Sequence, residues 1–148
     1  AGGRALAAGL KLPLLKNLDI RLFETSIGDA TASALGEALR CCPQISRLKM
    51  SLYSSKVTDA GGRALAAGLK LPLLKDLQVW LHETSIGDAT ASALGEALRC
   101  CPQISQLALG LYRSKVTDTG GRALAAADIT PNFDSVWRSF ALLPADRN

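Results

Sequence analysis

His82 is the chain's single histidine and Glu83 follows it directly, a combination that in a cleft would offer acid–base chemistry. Consecutive residues on an extended segment point to opposite sides, so the two do not converge on one substrate. In matching sequence 59 residues earlier stands Phe23, which cannot titrate. His82 is therefore one member of a varied contact column rather than a catalyst. Cys41-Cys42 and Cys100-Cys101 offer thiolates for a metal or a disulfide, but the pairs occupy equivalent places of a repeated unit, far apart in space. Adjacent cysteines bridge only with strain. The expectation is four reduced thiols, one of each pair packed inward as a small apolar residue, in a reducing, cytoplasmic compartment. Ala60-Gly61-Gly62-Arg63 opens a helix as phosphate-binding turns do, yet lacks their spaced third glycine and their Lys-Ser/Thr. It recurs along the chain, as scaffold does. Asp19, Glu24 and Glu83 are kept apart by intervening residues and form no carboxylate pair. These readings predict a protein that is not an enzyme and holds no cofactor and no metal.

The elements that carry these side chains are set by composition and by internal repetition. With 148 residues, 48% hydrophobic and 20% charged, the chain suits one soluble globular domain. Its net charge of +4 is spread along the whole length, which argues against nucleic acid as a partner. The longest uncharged run, Cys100 to Tyr112, is broken by Pro102, Gln103, Ser105 and Gln106, so no membrane span is expected. The sequence opens on Ala1-Gly2-Gly3-Arg4 and its one methionine is Met50, which reads as a piece of a longer chain.

Ala1-Gly2-Gly3-Arg4-Ala5-Leu6 returns as Ala60-Gly61-Gly62-Arg63-Ala64-Leu65 and, with one change, as Thr119-Gly120-Gly121-Arg122-Ala123-Leu124, a period of 59 residues. Two double repeats, 1–59 and 60–118, are followed by the start of a third that runs to 126. Each is double because Ile27-Gly28-Asp29 and Val57-Thr58-Asp59 head similar Ala/Leu segments, so the basic unit is 29 or 30 residues. Leu18, Ile20 and Leu22 alternate with polar residues, as do Leu48, Met50 and Leu52, then Leu77, Val79 and Leu81, then Leu107, Leu109 and Leu111. This predicts four strands buried on one face. Leu35, Ala38 and Leu39, or Ala64, Leu65 and Leu69, have helical spacing, with Asp29, Asp59, Asp88 and Asp118 as N-caps and Pro43 and Pro102 as stops. Strand and helix alternating at this length imply parallel strands.

Leu15-x-x-Leu18-x-Ile20 followed by Ala34-Leu35-x-x-Ala38-Leu39 resembles the leucine-rich repeat, in its ribonuclease-inhibitor-like class found also in intracellular NLR-type receptors. The resemblance covers about residues 1–126. It implies an α/β fold: a right-handed solenoid, parallel β-sheet on the concave face, helices on the convex one. It also implies a binding role, as in innate sensors, ribonuclease inhibitors and activators of small GTPases, although no partner-specific motif of these is present. The family's ladder asparagine is replaced by Thr25, Ser55, Thr84 and Ser114, whose hydroxyls are expected to form a weaker ladder between units.

Residues 1–59 and 60–118 are identical at 49 positions. The ten differences are Asn17/Asp76, Asp19/Gln78, Ile20/Val79, Arg21/Trp80, Phe23/His82, Arg47/Gln106, Lys49/Ala108, Met50/Leu109, Ser51/Gly110 and Ser54/Arg113. Seven fall on alternate residues of the strands, on the face opposite the leucines. Drift after duplication predicts scatter, yet exposed positions such as Arg4, Lys11, Thr31 and Arg40 are unchanged. A concave face diversified on a fixed scaffold accounts for the pattern, with a structural spacer in a larger repeat protein as the alternative. Stacked in register, the strands give an aromatic column of Phe23, Tyr53, His82 and Tyr112, and Trp80 beside Gly110 and Ala108 leaves a hollow. The partner-binding set is Arg21, Phe23, Arg47, Lys49, Tyr53, Gln78, Trp80, His82, Tyr112 and Arg113, with Arg21, Arg47 and Lys49 steering an acidic edge of a protein partner. Residues 127–148, with Val136, Trp137 and Phe140, either cap the solenoid or form a divergent tail.

Overall fold

The computed structural model describes residues 2–126, so the cap or tail expected at 127–148 lies outside the described residues. In chain order the elements are α1 (Gly2–Gly9), β1 (Asn17–Arg21), α2 (Asp29–Arg40), β2 (Arg47–Ser51), α3 (Asp59–Gly68), β3 (Asp76–Trp80), α4 (Asp88–Arg99), β4 (Gln106–Gly110) and α5 (Asp118–Ala125). The four strands lie in one parallel sheet in sequence order β1-β2-β3-β4. Register is strict: Leu18 faces Leu48, Leu48 faces Leu77 and Leu77 faces Leu107. A slip of one residue would turn these leucines into water, which is why the alternation fixes the pairing.

Ile20, Met50, Val79 and Leu109 form a second buried row, and Leu35, Leu65 and Leu94 reach toward them from the helices. Sheet and helices thus share one continuous apolar layer. Two helices, α2 and α4, are closed by local chemistry. Arg40 and Arg99 sit in the last turns of α2 and α4 against the negative helix end, and Pro43 and Pro102 follow within three residues. The Gly-Gly pairs lie inside helices where neighbours come closest. A methyl on Gly61 would stand 2.5 Å from an oxygen of Asp29, and one on Gly36 would strike the Ala64 carbonyl. The glycines are scaffold, as expected from their recurrence.

Burial depends on having a neighbouring unit. Leu65 is fully buried, whereas the matching Leu6 is 43% exposed; Leu71 is buried, whereas Leu12 is 48% exposed. Identical local sequence gives opposite burial, so the units are stabilised by their neighbours.

Two expectations about the loops need correction. The aspartates do not cap their own helices: the N-cap positions are Gly28, Thr58, Gly87 and Thr117, none with a side-chain cap bond. Asp29 instead reaches across to the next unit, accepting from the Thr58 amide at 2.7 Å and the Thr58 hydroxyl at 2.5 Å. Asp59 accepts from the Gly87 amide at 2.8 Å and from the amide and hydroxyl of Thr90 at 3.1 and 2.6 Å. Asp88 accepts from the amide and hydroxyl of Thr117 and from the Gly120 amide. Each carboxylate sits by the positive end of the following helix, where orphan N–H groups are available. The hydroxyls of Thr25, Ser55, Thr84 and Ser114 donate within their own units, to the carbonyls of Leu22, Leu52, Leu81 and Leu111 at 2.7, 2.6, 2.6 and 2.5 Å. They shape the turn, and the inter-unit bridging expected of them is done by the aspartates.

This carboxylate ladder makes stability depend on acid. For Asp29 and Asp59, burial alone would raise the pKa, but donation by the facing threonine hydroxyl and by backbone amides outweighs it and the result is lowered; for Asp88 the Thr117 hydroxyl and amide lead. A carboxylate depressed in the folded state contributes stability that is fully present above its unfolded value, about 3.9, and is lost as pH falls through the folded one. Asp59→Asn is therefore expected to cost about 1–2 kcal/mol at neutral pH and to flatten the loss of stability below about pH 4, read from urea midpoints across that range.

Candidate functional site

The face opposite the leucines carries three outward columns. They are Asn17, Arg47, Asp76, Gln106; Asp19, Lys49, Gln78, Ala108; and Arg21, Ser51, Trp80, Gly110. Beyond the strand ends the backbone stays paired: the Glu24, Ser54 and Glu83 amides donate to the carbonyls of Tyr53, His82 and Tyr112. Glu24, Ser54, Glu83 and Arg113 all adopt left-handed backbone, with φ of 54°, 54°, 56° and 51°. Sequence reasoning missed this repeated feature because none of the four is glycine. In every unit the residue just before this turn is the member of the aromatic column: Phe23, Tyr53, His82 or Tyr112. Left-handed backbone costs a side-chain-bearing residue about 1–2 kcal/mol. Ser54→Gly is accordingly expected to stabilise the fold by about 1 kcal/mol, measured as a raised urea midpoint with an unchanged slope.

The column is a continuous stack. Phe23 and Tyr53 have ring centroids 4.8 Å apart and planes 2° from parallel; Tyr53 and His82 are 4.3 Å apart at 14°, and His82 and Tyr112 are 4.2 Å apart at 10°. The spacing is that of adjacent strands, so the sheet itself sets the stacking distance. Phe23 at the end of the column is 37% exposed, whereas His82, covered on both faces, is only 8% exposed. His82 is thus less an open contact than the sequence suggests. Burial, slightly opposed by Glu83, pushes its pKa below the ordinary histidine value.

Trp80 does not border a hollow. Its indole lies across Gly110 so closely that any side chain there would strike the ring, and it meets His82 edge-on at 6.3 Å and 77°. Three of the ten differences, Trp80, His82 and Gly110, are therefore parts of one packing arrangement. No sequence signal tied them together except that all three change between the copies.

The basic end is also more balanced than expected. Arg21 pairs with Asp19 at 2.9 Å, Arg47 lies 3.8 Å from Asp76, and Arg113 lies 3.9 Å from Glu83. The Arg21 guanidinium, bonded to Asp19, holds that carboxyl below its ordinary value. Exposed pairs of this kind add little to stability, so their main effect is to cancel charge on the face. Lys49, half-buried between Asp19 and Gln78 in the sheet register, has no ion pair within 4.0 Å among the described residues. Gln78 is half-buried, and β4 contributes only Gln106, Ala108 and Gly110. The face thus carries most of its charge on β1–β2, whose arginines pair with Asp19 and with Asp76 of β3, while Trp80 and the small residues Ala108 and Gly110 lie on β3–β4.

The cysteines fall as expected, with Cys42 and Cys101 buried and Cys41 and Cys100 exposed, all four as free thiols. The buried thiols donate across the unit boundary, Cys42 to the Leu10 carbonyl at 2.9 Å and Cys101 to Leu69 at 3.1 Å. Burial pushes the Cys101 thiol up, away from the reactive thiolate.

No family model matches the chain. It is 28% identical over 138 residues to the ribonuclease inhibitor of Mus musculus, covering 92% of this chain but only 29% of that relative's length. Among solved structures it is similar to leiomodin-1 actin-binding site 2, at 16% identity, covering 85% of this chain and 70% of that one, with a TM-score of 0.61. Four parallel strands alternating with five helices, together with these likenesses, identify the fold as an α/β solenoid of the leucine-rich-repeat type.

Proposed function

We propose that the chain is a protein-recognition module that binds a partner on the outward face of β1–β4, with its strongest contacts on the β3–β4 half. The observation that carries this reading is the concentration of inter-copy differences on that face, where six outward strand positions and the Phe23/His82 position just beyond the strands change while the helices stay identical. Trp80, Tyr53 and Tyr112 are half-buried aromatics of the kind that dominate interface energies, the tyrosines packed in the stack and Trp80 against Gly110. The similar proteins bind proteins by their names, a ribonuclease and actin, which supports a general interaction role. The self-paired arginines fit a neutral or mixed partner edge better than a strongly acidic one. On this reading the chain acts without catalysis, cofactor or metal, in the cytoplasm, as part of a longer repeat protein and without nucleic acid or membrane.

A Trp80→Ala, Tyr112→Ala double variant with unchanged circular dichroism is expected to lose partner recovery by about thirty-fold or more, since one such anchor is worth about 2 kcal/mol. Equal recovery of every partner by the wild-type and variant chains contradicts the proposal. The second reading, a structural spacer, draws support from the mutual fit of Trp80, His82 and Gly110, three changed residues that pack on one another. Coding DNA separates the two. Silent changes as concentrated in the strands as the replacement changes would support the spacer.

A further inference from the structure

We propose that His82 is a proton switch for this face: taking up a second ring proton lifts the Trp80 indole from Gly110 and opens the Tyr53–His82–Tyr112 stack. The biological weight of the switch rests on the binding role proposed above, but the switch itself is a property of the folded chain.

The geometry supports it at one atom. His82 Nδ1 is buried and has no hydrogen-bond partner among the described residues. It lies 3.2 Å from where a side chain on Gly110 would begin, the same spot that the Trp80 ring covers. A neutral imidazole tolerates this by keeping its single proton on Nε2 and leaving Nδ1 as an unprotonated acceptor. The imidazolium has no such choice, because both nitrogens then carry hydrogen and Nδ1–H faces a sealed apolar spot. An N–H directed at an aromatic ring recovers only part of what a carboxylate or water would provide, whereas an unmet buried charged donor costs considerably more.

The groups around the ring do not relieve that cost. From the β2 side it meets Tyr53, whose neighbour Ser54 is uncharged; from the β4 side it meets Tyr112, followed by Arg113; on its own segment stand Trp80 and Glu83. Glu83 favours the proton, but its exposed carboxylate is shared with Arg113 at 3.9 Å. Desolvation is the larger influence and sets the direction. Relief then comes from movement. The movement falls to Trp80, whose half-buried ring lies in van der Waals contact with Gly110.

Copy one supplies the control. At the matching position Phe23 stacks on Tyr53 as His82 does, so His82→Phe keeps a flat ring in the column and removes the titration. The test uses the full chain in a Trp137→Phe background, where Trp80 is the one remaining tryptophan of the two. Trp80 emission and the imidazole resonances of the single histidine are followed from about pH 7.5 to about pH 5, a window in which the aspartate ladder stays ionised. Far-ultraviolet circular dichroism monitors the fold. The expected result is a reversible red shift of Trp80 emission whose midpoint coincides with the His82 midpoint and lies below about 6.5, with no such shift in His82→Phe. A His82 titration without a shift in emission overturns the proposal, as does the same shift in His82→Phe. The wild-type resonances and emission decide the matter even if that variant folds poorly. Equal partner recovery by the wild-type chain and the Trp80→Ala, Tyr112→Ala variant at neutral pH would instead remove the recognition reading and leave this titration untouched.

Discussion

Gly68→Ala is expected to destabilise the fold by about 2–3 kcal/mol, whereas Gly9→Ala, in the same run Arg-Ala-Leu-Ala-Ala-Gly-Leu, is expected to be neutral or slightly stabilising. A methyl group on Gly68 would strike the backbone of Gly36, whose carbonyl oxygen, Cα and carbonyl carbon all lie in its path. Backbone cannot yield as a flexible side chain can, so α2 and α3 must part along their contact. Around Gly9 there is nothing within 4 Å, and alanine gains only by its better helical propensity and smaller loss of chain entropy. Urea unfolding of the two variants measures the difference directly. Equal effects would mean that helix-to-helix approach does not hold the units together.

Leu77→Ala is expected to cost about 3–4 kcal/mol, and Leu18→Ala about half as much, from urea midpoints at constant slope. Both leucines stand in one row and have similar apolar neighbours along their own strands, Ile20 standing where Val79 does, but Leu77 has Leu48 on one side and Leu107 on the other. Leu18 has a strand partner on one side among the described residues and is only partly buried. Truncation at Leu77 leaves a cavity that two rigid neighbours cannot collapse, while at Leu18 water and side-chain relaxation fill part of the space. The gradient distinguishes a solenoid, in which each unit is stabilised by those adjoining it, from a single shared core in which the two losses would be similar.

The strand positions, parallel order and outward columns were legible in the sequence because period-two alternation and a repeated unit leave one register that buries Leu18, Leu48, Leu77 and Leu107 together. The aromatic column followed from the same register. Other features were not legible because they depend on side chains that reach between units. Asp29, Asp59 and Asp88 look like caps for the helices they begin, and only the stacking places the next unit's threonine within their reach. The Trp80–Gly110 contact needs the direction in which an indole leans, which spacing does not carry. Arg21 and Arg47 read as free cations until their rotamers bring them to Asp19 and Asp76. The left-handed turns at Glu24, Ser54, Glu83 and Arg113 were hidden by ordinary side chains at positions where glycine would have announced them.

Site-specific photo-crosslinking tests the recognition reading most directly. A photoreactive aromatic amino acid is placed in the full chain at Gln78, on the outward face of β3, and in a second version at Glu96, on the exposed side of α4. The account predicts covalent partner adducts from position 78 that disappear on adding Trp80→Ala and Tyr112→Ala, with none from position 96. Adducts formed from position 96 alone, or equally from both, would place recognition on the helices and contradict it.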